Sequence, residues 1–448
     1  MYQGTSPAAT DDYAIFPSAV AVEPEPVAAV EQPKAVRRGK SPEFYKPFHY
    51  LLLTYLYFYC SRVTELMTWF HIGLLLQPIL LIGMVMTGTT KSIFRTDIGR
   101  VMTMFTIWVA LCVPFSFWRG GSLQILILAL QALALLFFMA AFIRTLEDCY
   151  RVIYVIALAM ATIGVLSFII GNRSADPRLA LGDRAAQTLG DANFMALYLV
   201  IGLPFLWFSS NWKRGFVRVG LLLMMLPVLA AVARTGSRMG LLALVLGTLF
   251  FLIFATTTQR AFIIIGGTLG LMLALTLLPH RIVERFTTLF NGGSSAAAAE
   301  AAESADARRT MFWRGVELTL EHPLFGVGPG EFMDAEAGEA ASIGHRGLWH
   351  YTHNAYTELS SETGLPGMVI FLIAFWRSYR GLTFYRNRYP NSQVRRAALC
   401  IQIAVLVSAI GAFFLSIAYS GILYAIMGVS AAFQLAAARQ YKLLKAEA

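Results

Sequence analysis

Charge is what this sequence has least of. Only 14% of its 448 residues are Asp, Glu, Lys or Arg, 57% are apolar, and the mean hydropathy is positive. That balance excludes an ordinary soluble enzyme and places the chain among polytopic, all-α membrane proteins. Cysteine is scarce too: Cys60, Cys112, Cys149 and Cys400 all fall in or at the ends of apolar runs. No disulfide framework or zinc site can be built from them. Acid is scarcer than base, giving a net charge of +10, but the bases are dispersed among apolar runs. A nucleic-acid surface needs them gathered on one face, so that partner is excluded. A short charged-then-apolar leader is missing, so the first span itself is expected to start insertion. No internal repeat is visible.

What the sequence has in abundance is apolar runs near the ~20 residues that cross a bilayer. About twelve are read, at 46–62, 66–87, 100–118, 121–143, 151–171, 191–209, 216–233, 237–255, 261–279, 364–383, 397–416 and 418–437. The basic residues test this reading. With a cytoplasmic amino terminus, alternate connections should be basic. Lys91/Arg95/Arg100, Arg144/Arg151, Lys213/Arg214/Arg218, Arg260, six Arg from Arg377 to Arg396, and Lys442/Lys445 all fall on one side. Both termini are therefore expected in the cytoplasm. Residues 1–45 carry Pro, Ala, Val and Glu without helical periodicity and are expected to form a disordered tail, held inside by Arg37, Arg38, Lys40 and Lys46. The expected organisation is that tail, nine spans over 46–279, a long outward loop over 280–363, three spans over 364–437, and a short tail from 438 to 448.

Two outward segments exceed a turn's length, 171–190 and about 280–353. In the second, acids outnumber bases by ten to six between 280 and 352, and its Gly/Ser/Ala-rich stretch 292–305 reads as a flexible tether. Met311, Phe312, Trp313, Val316 and Leu320 recur at helical spacing, so 307–321 is predicted to be an amphipathic helix on the membrane face. His322-Pro323 ends it, and Gly326, Gly328 and Gly330 turn the chain back.

Several polar residues on this side are open to more than one reading. Arg309, on the face of Trp313, either meets lipid headgroups or clamps a phosphate with its planar guanidinium. Arg234 and Arg238 flank Thr-Gly-Ser beside apolar spans; snorkelling excuses one of them, and Arg238 points to an anion site. His353, beside Asn354 and close to His350 and Tyr351, is either structural or a neutral imidazole able to take a proton from a hydroxyl. Glu362 could orient that region or bond a helix end. Asp191 reads first as a helix cap and second as a substrate contact. Asp334 and Glu336 have metal-compatible spacing, but with Glu331 and Glu339 they also read as a solvated face.

At these residues the chain resembles the O-antigen ligase and polymerase family of bacterial surface-glycan proteins. The resemblance rests on Gly-Asp-Ala-Asn-Phe at 190–194, Thr-Gly-Ser-Arg-Met-Gly at 235–240, and Arg309-Thr-Met-Phe-Trp followed by His-Pro-Leu-Phe-Gly-Val-Gly-Pro-Gly at 322–330. It continues in His353-Asn-Ala-Tyr and Glu362-Thr-Gly-Leu-Pro-Gly. These motifs occur in the family's order over about 185–370. The Ala-rich stretch at 294–305 and the long tail depart from the family's pattern.

The resemblance implies a twelve-helix fold in the bacterial inner membrane, with a cavity at the periplasmic face. It implies a metal-independent, cofactor-free glycosyltransferase whose donor glycan rides on undecaprenyl diphosphate and whose acceptor is lipid A-core or another glycan. By motif position, Arg238 and Arg309 would bind the diphosphate and His353 would be the essential histidine. Arg308 is adjacent to Arg309, so that choice is open by one residue; Arg234, Arg308, Asp191 and Glu362 would support. A repeat-unit polymerase uses the same donor site and is the nearest alternative. A lipid-linked oligosaccharide flippase would want charges deep inside several spans, whereas here they gather at one face.

Overall fold

The computed structural model describes residues 43–66, 72–171, 178–181, 188–277, 280–287, 296–342, 344, 349–389 and 392–447. Most of the amino-terminal tail lies outside them, as do 292–295 of the expected tether and 438–448 only at its last residue. The described residues hold helices and no strands. In chain order the α-helices are α1 Lys46–Ser61, α2 Val63–Leu66, α3 Ile72–Met86, α4 Asp97–Cys112, α5 Arg119–Phe142, α6 Leu146–Ile170, α7 Ala192–Trp212 and α8 Gly215–Arg234. They continue with α9 Arg238–Phe254, α10 Thr257–Leu277, α11 His280–Thr287, α12 Ala296–Glu321, α13 Phe332–Ser342, α14 Ala355–Arg388, α15 Gln393–Ala412 and α16 Gly421–Glu447.

Every predicted span coincides with a helix, but not every helix is a full span. Eight among the described residues are long and apolar enough to cross a membrane: α4 with its extension to Phe115, α5, α6, α7, α8, α14, α15 and α16. The chain is a multi-pass membrane protein. The helices at 46–62 and 237–255 come out at 16 and 17 residues, short of ~20 at 1.5 Å per residue, while 67–71 of the span at 66–87 lie outside the described residues. Large apolar side chains face outward on the helices, as lipid contact requires: Phe216 is 97% exposed and Phe262 81%.

Local chemistry sets the helix starts. Thr145 and Asp148 form a reciprocal capping box on α6, Thr96 caps α4 and Ser392 caps α15. Small residues let helices approach closely. A Cβ on Gly202 would meet Met160 at 2.4 Å, and one on Gly411 would meet Leu197 at 2.5 Å.

The chain reverses at each long connection, so the connections collect at two ends. At one, Arg439 donates to the Arg144 carbonyl, Gln393 to that of Asn211, and Arg377 pairs with Asp97. This end carries the basic connections. At the other, Leu179 bonds to Arg234, Phe117 to Val327, and Thr352 to Ser416. The polar motifs all lie at that second end.

Two readings of the long connection need correction. Residues 296–305 are not a tether: they are the first turns of α12. Ala and Glu dominate there, and both are strong helix formers. The predicted helix at 307–321 is the second half of the same element. It buries Met311, Gly315, Leu318 and Thr319 and leaves Trp313 and Leu320 exposed. Nor is the acidic run from Glu331 a solvated face. Glu331 and Glu336 are buried on or beside α13, and Glu339 pairs with Arg314 of α12. Among the described residues no three His, Cys, Asp or Glu side chains converge as a metal-ligating group.

Candidate functional site

The site is assembled on three helix starts and one turn of α12. Asp191 caps α7, its Oδ1 accepting from the Asn193 and Phe194 amides at 2.7 and 3.1 Å. Ser237 caps α9 by accepting from Gly240, and its hydroxyl donates to Asn193 Oδ1 at 2.7 Å. One side-chain bond thus stitches the 190–194 and 235–240 motifs together. It places Arg238, the first residue of α9, beside the start of α7. Gly240 is needed there because a Cβ would lie 2.6 Å from that of Ala196. Arg234, at the end of α8, lies over the Phe168 ring at 5.5 Å.

His353 precedes α14. Its φ of +51° is in the left-handed region, costly for a non-glycine residue at ~1–3 kcal/mol. The surroundings hold it there. Its amide donates to Ser416 Oγ at 2.9 Å, Thr352 bonds the same hydroxyl at 3.0 Å, and Asn354 caps α14 through the Tyr356 and Thr357 amides. The Tyr356 hydroxyl donates to the Ala409 carbonyl at 2.9 Å, tying α14 to α15.

These pieces meet electrostatically. The His353 imidazole is pushed down to about 4 from its ordinary 6.5, first by burial, then by Arg308 and His350, against the opposing pull of Asp191. Arg308 is lowered as well, by burial and by Arg178 and Arg238, again opposed by Asp191. Asp191, Arg238, Arg308 and His353 therefore share one site, with Arg178 and His350 at its edge. Arg309 is exposed on the other face of α12. Asp191 is the carboxylate that acts on Arg308, and two further arginines, Arg178 and Arg238, lie close enough to depress the same guanidinium. Such a pocket favours an anion, and a neutral imidazole within it can accept a proton.

Glu362 stands apart from this cluster. Buried in α14, it accepts from the Gly330 and Phe332 amides at 2.7 and 3.3 Å. It holds the 322–330 turn, which is wedged between α14 and the start of α5. Val327 donates to the Ser361 carbonyl at 2.8 Å, Gly328 to that of Glu362, and Leu365 to that of Pro323. Phe325 stacks on Phe115 with ring centres 4.3 Å apart. At Gly326, with φ +67°, a Cβ would come within 2.3 Å of the Glu362 carbonyl carbon. Gly326→Ala is expected to cost about 3 kcal/mol through strain and overlap with backbone. The check is a lower unfolding temperature and lower abundance of the detergent-solubilised protein.

One participant carried no signal in the sequence. Ser416 is an isolated serine, yet it fixes the His353 backbone. Glu358 is buried and accepts from the Ala418 amide at 3.0 Å, joining α14 to the same connection. Glu331, buried against Gly121, has a carboxyl pushed up to about 7 by burial and by Asp334.

The motifs on α9, α12, the glycine turn and the start of α14 lie within one recognised segment. Residues 223–372 match the O-antigen ligase family. The match spans about a third of the chain and bears out the resemblance seen in the motifs; Asp191 and its neighbours lie outside it. Among curated proteins none matches the chain.

Proposed function

We propose that this O-antigen ligase-like chain is a membrane glycosyltransferase that moves a glycan from undecaprenyl diphosphate to an acceptor hydroxyl. The observation that carries the proposal is the gathering of Arg238, Arg308, Asp191 and His353 at one end of a membrane-spanning bundle. Arginines placed at that end meet the negative charge that grows on a diphosphate as the glycosidic bond breaks, favouring the transition state over the ground state. Their guanidiniums supply the charge otherwise asked of a divalent ion.

In the proposed reaction the acceptor oxygen attacks the anomeric carbon from the face opposite the diphosphate. Its proton passes to the His353 imidazole, the bond to the diphosphate oxygen breaks, and the electron pair leaves with the lipid carrier. Configuration at the anomeric carbon inverts. Asp191 restrains Arg308 and favours the imidazolium as it forms.

We further read the bundle as twelve helices in the inner membrane, both termini cytoplasmic, and the site in the periplasm, with the 280–363 connection supplying Arg308 and His353 to it. The basic connections support this, because they gather at the end away from the site. The acceptor is lipid A-core in a ligase and a carrier-linked repeat unit in a polymerase. The deciding assay gives purified protein a carrier-linked glycan with each acceptor in turn and measures release of free undecaprenyl diphosphate. Release with neither acceptor would remove the proposal.

A pH profile tests the base. With His353 acting neutral, kcat/KM is expected to hold through mildly acidic pH and fall only as pH approaches about 4. Removing the Arg308 charge relieves one cause of the depression, so in Arg308→Gln the acid limb should move up toward 6.5. A limb that stays put would detach Arg308 from His353.

A further inference from the structure

The opposite end of the bundle carries a basic feature for which the proposed reaction has no use. A groove of about 400 Å³ opens between α4, α14 and α16, lined by Asp97, Arg377, Arg380, Thr383, Phe384 and Gln434. Arg377 reaches Asp97 at 3.3 Å, and Arg100 binds the same carboxylate. Two arginines thus bind this acid and a third, Arg380, lines the groove beside it, leaving excess positive charge there. Arg380 lies against the Trp376 ring at 5.8 Å.

The level of the groove matters. It lies at Asp97, the first residue of α4, whereas α14 runs on to Arg388. From the Gly364 kink, Arg377 lies about 20 Å along α14, and α4 with its extension to Phe115 spans about 27 Å. The groove is therefore close to the edge of a hydrocarbon core of about 30 Å. One exposed face of α14 leads into it. Val369, Leu372 and Ile373 come first, then Trp376, then Arg377 and Arg380, all exposed and recurring three or four residues apart. Apolar, then aromatic, then guanidinium is the order in which a phospholipid presents acyl chain, interface and phosphate.

We propose that this groove binds the headgroup of an anionic phospholipid, its phosphate on Arg377 and Arg380 and an acyl chain along the Val369–Ile373 face. Asp97 keeps Arg377 extended across the groove mouth. Its negative charge is outweighed by Arg377 and Arg380 in the groove, with Arg100 on the same carboxylate. Thr383 and Gln434 offer hydrogen bonds to the glycerol or headgroup hydroxyls.

The test is native mass spectrometry of the full chain in neutral detergent, titrated with phosphatidylglycerol, phosphatidylcholine and inorganic phosphate. Wild type should retain phosphatidylglycerol in preference to phosphatidylcholine. At roughly fivefold per surface arginine, Arg377→Ala/Arg380→Ala should weaken that retention at least tenfold. Arg380→Glu alone leaves the Arg377–Asp97 bridge intact and should lose as much, which covers a double variant that fails to fold. Undiminished retention in Arg380→Glu overturns the proposal. Equal retention of phosphatidylcholine also overturns it, as does inorganic phosphate binding as tightly as the lipid. Lipid binding is read without any transferase assay, so its failure and a failure of the reaction proposed above are separable.

Discussion

His353→Ala is expected to lower glycan transfer by a factor of ~10²–10⁴, the usual contribution of a positioned general base. Protein level and membrane insertion should stay near wild type. The side chain is half-buried, and what anchors this residue is its amide bond to Ser416, which the variant keeps. The left-handed backbone complicates the alanine variant, because alanine resists φ of +51°. His353→Asn is the better partner measurement: asparagine tolerates that conformation but cannot serve as a base near neutral pH. Both variants should be inactive. Activity regained in the asparagine variant would mean that His353 matters for the shape of the chain, and normal surface glycan in either would reject the role.

The helices were legible because lipid-facing sequence must be apolar over a length set by bilayer thickness, and capping residues mark where many of them begin. The shortness of α1 and α9 was less legible. Arg62 ends α1 by adopting a left-handed cap at φ 54°, its amide donating to the Phe58 carbonyl. Residues 296–305 misled in the opposite direction. Their Gly-Gly-Ser-Ser preface suggested a linker, while Ala and Glu at short range favoured helix, and helix prevailed. At the site, residue types and motif order could be read, but their convergence could not. Asp191 and His353 are 162 positions apart, and nothing local says that Ser237 will bond Asn193 or that Ser416 will hold His353. Glu362 shows the converse. Of its two readings, orienting the His353 region or bonding a helix end, its contacts fit the second: the carboxylate holds the 330–332 backbone at the start of α13.

The sharpest discrimination is between two neighbouring arginines. Consecutive residues on a helix point about 100° apart, so Arg308 and Arg309 cannot both face the same ligand. Arg308 is the one half-buried beside Asp191, Arg178 and Arg238, while Arg309 shares the exposed face of Trp313 four residues on. Arg308→Ala is therefore expected to cost ~10²–10³ in kcat/KM, the loss usual for one donor aimed at developing charge. Arg309→Ala should cost less than tenfold, because an exposed guanidinium contributes at most about 1 kcal/mol. Arg308→Lys should recover only part of the loss, since a lysine keeps the charge but cannot bind two phosphate oxygens as a planar fork. If Arg238 and Arg308 grip one diphosphate, their double alanine variant should lose less than the two single losses combined, because either single change already loosens the shared ligand. A reversed order, with Arg309→Ala inactive and Arg308→Ala near wild type, would mean that α12 is rotated by one residue when donor is bound, and the site would have to be rebuilt around the other face.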